Sequence, residues 1–73
     1  METVKMTKKS LILMAKKLNA IDISTTTINA KERSQFECIA ISVGIYGVNG
    51  ALFEKKGKFY VIKGRTTNLF ILL

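Results

Sequence analysis

The sequence predicts an α+β fold in which two helices precede a three-stranded antiparallel β-meander. Three observations point to it: apolar residues at helical spacing in the first half, the glycine-rich run GIYGVNG near the middle, and alternating segments either side of Lys56-Gly57. With 73 residues the chain is expected to form one domain over 1–73, small enough that every apolar element must pack. A hydrophobic fraction of 48% with no proline fits a folded globule rather than a disordered chain.

From Thr3 to Leu18 the residues Val4, Leu11, Met14, Ala15 and Leu18 fall on one stripe, which predicts the first helix. Lys5, Lys8, Lys9 and Lys16 share an adjacent face. Such a face is usually plain solvated surface, and it gains meaning only if it joins a second basic patch. Residues 19–28, NAIDISTTTI, suit an extended connector, with a short edge strand as an option.

Asn29 followed by Glu32 has the form of a capping box and opens a second helix over about 30–46. Phe36, Ile39, Ala40 and Val43 form its stripe, while Cys38, Ile41 and Ile45 make a second apolar side. A helix apolar on two sides is either central to the core or covered by another chain. GIYGVNG then supplies its C-cap and turn.

The remainder predicts the sheet. Lys56-Gly57 forms a two-residue hairpin turn between 51–55 and 58–63, and Gly64 to Asn68 leads into a last strand, Leu69 to Leu73. That strand is apolar at every position, so its two faces must be covered or meet a partner. A winged-helix-like arrangement also fits this order, but the later half of the second helix is too apolar to enter a major groove comfortably.

Twelve Lys and Arg against five Asp and Glu give a net charge of +7, which attracts polyanions. Nucleic acid is the first partner this implies, an anionic membrane or an acidic protein surface the alternatives, and solubility the plain explanation. In the hairpin register set by Lys56-Gly57, Lys55 pairs with Lys58 and Phe53 with Tyr60, so two rings and two ammonium groups share one side. Rings on which bases stack and cations that follow phosphates are what a single-stranded nucleic acid requires. Core packing of Phe53 and Tyr60 is the competing explanation, because the register decides which side is buried. The candidate contacts are therefore Phe53, Tyr60, Lys55, Lys56, Lys58 and Lys63 of the hairpin, Arg65 in the polar run that follows, and Lys8, Lys9 and Lys16 of the first helix.

Catalysis lacks its usual parts: there is no His, one Cys, and no carboxylate pair at acid–base spacing, so a binding protein without cofactor or metal is expected. Cys38 has no disulfide partner, and the apolar run Leu11 to Ala15 is too short for a signal peptide or a membrane span, which predicts a soluble cytoplasmic protein. Ile41, Ile45, Leu69 and Ile71 are the apolar candidates for a protein partner, and a homo-oligomer stays open.

The Lys/Ile-rich composition, the helix-helix-hairpin order and the run YGVNGALF…GKFYVIKGRTTNLF resemble the small middle proteins of staphylococcal chromosome cassettes, over residues 46–70. The resemblance implies a single-strand-binding accessory subunit that associates with the DNA polymerase or primase of a mobile element. It transfers no site residue. The alternative is a protein-interaction module, such as an inhibitor of a host enzyme, that makes no nucleic-acid contact.

Overall fold

The computed structural model describes residues 3–26, 28–45 and 47–64. Its elements are β1 (Val4–Met6), α1 (Lys8–Lys17), β2 (Ile21–Asp22), α2 (Ala30–Arg33), β3 (Glu37–Gly44), β4 (Gly47–Lys55) and β5 (Lys58–Ile62). The strands form one five-stranded sheet in the order β1-β3-β4-β5-β2. β1 runs parallel to β3 and β2 parallel to β5, whereas β4 is antiparallel to both its neighbours. This mixed sheet overturns the expected pair of helices followed by a three-stranded meander, and with it the winged-helix arrangement.

The expected first helix, Thr3 to Leu18, gives up its start to a strand. Val4, Lys5 and Met6 alternate, and they pair with Ala40, Ile41 and Ser42 of β3. Thr7 then caps α1, its Oγ1 accepting from the Ser10 backbone N–H at 3.1 Å. Lys16 and Lys17 in the last turn suit the negative end of the helix dipole. After the C-cap Leu18, Asn19 takes a left-handed φ of 54° and turns the chain into β2, the edge strand offered as an option for the connector.

The larger correction concerns the second helix, expected over 30–46. Its capping box forms, with Glu32 N–H donating to Asn29 Oδ1 at 2.8 Å and Asn29 Nδ2 to Glu32 Oε1 at 3.0 Å. The helix it opens, however, ends at Arg33. From Glu37 onward the β-branched Ile39, Ile41 and Val43 alternate with Ala40, Ser42 and Gly44, a period of two that suits a strand. GIYGVNG consequently joins two strands instead of ending a helix: Gly44 pairs with Gly47, which has a φ of 106°.

The sheet is covered on both faces. On one, Leu11 and Ala15 of α1 pack against Ala40, Leu52 and Val61, with Met6, Leu18, Ala20 and Ile39 around them. On the other, Ile23 from the segment between β2 and α2 packs with Ala51, Phe53 and Ile62, joined by Ile28, Phe36, Cys38, Ile41 and Tyr60. Successive residues of β4 thus serve opposite cores, which is why Ala51, Leu52 and Phe53 are all buried.

α1 reaches the sheet because the residues below it are small. Ala40, Ser42 and Gly50 are buried, and Gly50 has a φ of 149°. A Cβ at Gly50 would meet Leu11 Cδ2 at 2.8 Å and the Ile62 carbonyl oxygen at 3.4 Å. Register shifts in the β3–β4 pairing, between Cys38 and Ala40 and between Ile41 and Val43, bracket this seat and bring Ile39 and Ala40 toward the helix side.

The β4–β5 hairpin follows the expected register, with Ala51, Leu52, Phe53, Glu54 and Lys55 opposite Ile62, Val61, Tyr60, Phe59 and Lys58. Its turn holds Lys56 at a φ of 52° and Gly57 at 80°, as a two-residue turn with both centres left-handed requires. The expected last strand, Leu69 to Leu73, lies outside the described residues.

Two substitutions test this construction. Gly50→Ala should destabilise the domain by about 1–3 kcal/mol, since Leu11 is fully buried and the backbone disfavours a side chain. Lys56→Asn should stabilise it by about 1 kcal/mol, because Asn tolerates the left-handed conformation better than Lys. Urea unfolding of each variant beside the parent gives both signs directly.

Candidate nucleic-acid interface

β2 and β5 lie side by side, with Ile21 opposite Tyr60 and Asp22 opposite Val61. The chain beyond each strand is locked to the other: Ile23 N–H donates to the Val61 carbonyl at 3.0 Å, and Lys63 N–H donates to Ser24 Oγ at 2.9 Å. Ser24 turns back on Asp22, giving both its backbone N–H, at 2.9 Å, and its hydroxyl to Asp22 Oδ1. Asp22 Oδ2 is left facing Lys63 Nζ at 3.8 Å. Both side chains are 48% exposed, so the pair adds little to stability.

The Ser24 hydroxyl, then the Ser24 backbone N–H, hold the Asp22 carboxyl below its ordinary value against the cost of desolvation, and Lys63 adds a lesser pull in the same direction. A lowered carboxylate pKa means that any stability gained here is present at neutral pH and is lost as pH falls through that lowered value. At neutral pH the group is therefore a carboxylate, able only to accept hydrogen bonds.

The last turn of α1 stands over this corner and completes an open groove of about 380 Å³. Its floor is apolar, made by Ile12, Ala15, Ala20 and Val61, and its rim is polar, made by Lys16, Asn19, Asp22 and Lys63. Lys16 of the helix and Lys63 of the strand end, far apart in sequence, thus border one concavity. Of the lysines expected on the helix face, Lys16 shares this groove with Lys63, and Lys5 lies on β1. Lys8 and Lys9 are exposed on the first turn of the same helix.

The hairpin side expected to present rings beside ammonium groups is occupied from within. Phe36, from the segment after α2, meets Phe53 edge to face at 6.2 Å and Tyr60 at 5.1 Å. Phe53 is 2% exposed, so the expected stacking of a base on its ring is closed off by packing. Tyr60 is half-buried in the same cluster. Lys55 Nζ sits 4.7 Å from the Phe36 centroid and 5.7 Å from that of Tyr60, an internal cation–π contact.

Lys56 and Lys58 are exposed at the hairpin tip. Alternation puts Lys55 and Lys58 on the Phe36 side of the sheet and Lys63 on the α1 side, so the cations divide between two faces instead of sharing one β surface. Ile41 is half-buried against the second core, and Ile45, between β3 and β4, is 94% exposed. Arg65, Leu69 and Ile71 lie outside the described residues.

Sequence reasoning missed Phe36 as the lid over the hairpin rings, and Asn19 and Asp22 as groove residues. The order Asp22-Ile23-Ser24 carried a usable signal, since Asp before Ser two positions on is a common side-chain-capped turn. Cys38 is a half-buried thiol whose pKa is pushed up by burial. Among the described residues no cluster of three His, Cys, Asp or Glu converges, and no helix is long and apolar enough to cross a membrane.

Comparison of the chain with protein-family models, curated proteins and solved structures returns no match.

Phe36→Ala should cost about 2 kcal/mol by uncovering Phe53 and Tyr60, whereas Lys55→Ala should cost less than about 1 kcal/mol. Thermal unfolding of the two variants separates these contributions.

Proposed function

We propose that this chain is a small basic nucleic-acid-binding accessory protein that prefers single-stranded DNA and works beside a replication enzyme, a polymerase or primase of a mobile element. One observation carries the DNA contact: in a chain of net charge +7, Lys16 and Lys63 border an open groove with an apolar floor. Ammonium groups draw in the phosphates and the apolar floor receives the flat face of a base. Lys8 and Lys9 extend the positive track along α1. With α2 reduced to one turn and Leu11 and Ala15 of α1 committed to the core, a major-groove helix has little support.

The replication partner rests on the resemblance to cassette middle proteins, and its docking place on the apolar end of β3. There Val43 is 55% and Ile45 94% exposed beside the half-buried Ile41. The same exposed end favours the second reading, a protein-interaction module that inhibits a host enzyme and touches no DNA. A cytoplasmic location and a non-catalytic role complete the proposal, consistent with the half-buried, poorly ionised thiol of Cys38.

Fluorescence anisotropy with a labelled single strand tests the reading. Affinity should fall with rising salt at a slope of about −0.7 per phosphate neutralised, and Lys16→Glu combined with Lys63→Glu should weaken binding at least about tenfold. Charge reversal of Lys56 and Lys58 should weaken it less. Binding unaffected by the groove double variant would remove the groove from the interface. No binding at physiological salt together with a tight protein partner would favour the interaction module.

A further inference from the structure

The rim of the groove is not uniformly cationic, and its exceptions have a definite chemistry. Asp22 Oδ1 is engaged by two donors from Ser24, which fixes the carboxylate in place, and among the described residues Oδ2 meets a cation at Lys63, at a long 3.8 Å. A held acceptor therefore shares the lining of this groove with two ammonium groups, Lys16 and Lys63. At about 380 Å³ the groove is at the small end of the range for ligand pockets, enough for one nucleotide unit rather than a run of them.

We propose that the groove reads one base of the bound strand and that it prefers guanine. This deepens the nucleic-acid reading and rests on it. Lys16 and Lys63 hold the flanking phosphates, the part-exposed Ile12 and Ala20 take the face of the base, and Asp22 Oδ2 accepts from its Watson–Crick edge. A carboxylate favours donors there. Guanine offers two neighbouring donor groups, N1–H and the 2-amino group. Thymine sets its single N3–H between two carbonyl oxygens, which the carboxylate repels, and cytosine and adenine set a ring nitrogen acceptor beside their amino groups. Asn19, held left-handed at the end of α1, adds an amide to the same rim.

The test is anisotropy with short oligo-dT strands, unmodified or carrying one central dG, dC or dA, against the full chain, Asp22→Asn and the exposed control Glu37→Gln. Asn keeps an acceptor for the two Ser24 donors but puts a donor where Oδ2 stood. The parent and Glu37→Gln should bind the dG strand roughly five- to tenfold tighter than dT, and Asp22→Asn should lose that ratio. Four equal affinities for the parent overturn base reading and leave single-strand binding intact. A dG preference that survives in Asp22→Asn overturns the assignment to Asp22. Absence of binding to all four strands overturns the nucleic-acid reading and this inference together.

Discussion

The seating of Leu11 over Gly50 is the contact on which the rest of the molecule depends. α1 must cross a sheet whose outer strands, β1 and β2, are its own flanking elements in sequence. It reaches the strands only because Gly50, Ala40 and Ser42 leave room under it. Once Leu11 and Ala15 are down, the helix excludes water from Leu52 and Val61, each worth about 1.5–3 kcal/mol when fully buried. The same placement fixes where the last helical turn ends. Lys16 therefore lines the same groove as Lys63, and the groove is a consequence of the core rather than an addition to it.

The proposed function rests on how the two faces divide the labour. The Phe36 side invests its rings in stability: Phe36, Phe53 and Tyr60 interlock, and Lys55 covers them. The α1 side keeps a concavity with cations at its edge. Aromatic residues beside lysines in a hairpin are thus not a nucleic-acid surface by composition alone. What decides is whether another segment of the chain reaches the rings first, and here Phe36 does.

Much of the local chemistry was legible in the sequence and the long-range chemistry was not. The hairpin register, the Asn29–Glu32 box and the helical core of α1 follow from turn residues, capping groups and apolar spacing acting within a few positions. The second helix failed because Phe36, Ile39, Ala40 and Val43 satisfy the helical period while Ile39, Ile41 and Val43 satisfy a period of two. Only pairing with β4, settled far along the chain, chooses the strand. The parallel partners β1 and β2 escaped because strands of two and three residues carry almost no pattern of their own. Lys16 and Lys63 were both legible as candidate contacts, but their placement on one groove depends on that same topology.

The central claim is that single-stranded DNA docks on the α1–β5 groove, and an NMR titration of the isotope-labelled protein with a short single strand tests it most directly. Amide shifts concentrated at Lys16, Asn19, Asp22 and Lys63, and weak at Lys56, Lys58 and Ile45, are the predicted result. Shifts gathered at the hairpin tip or at the exposed end of β3, with the groove amides unmoved, would contradict it.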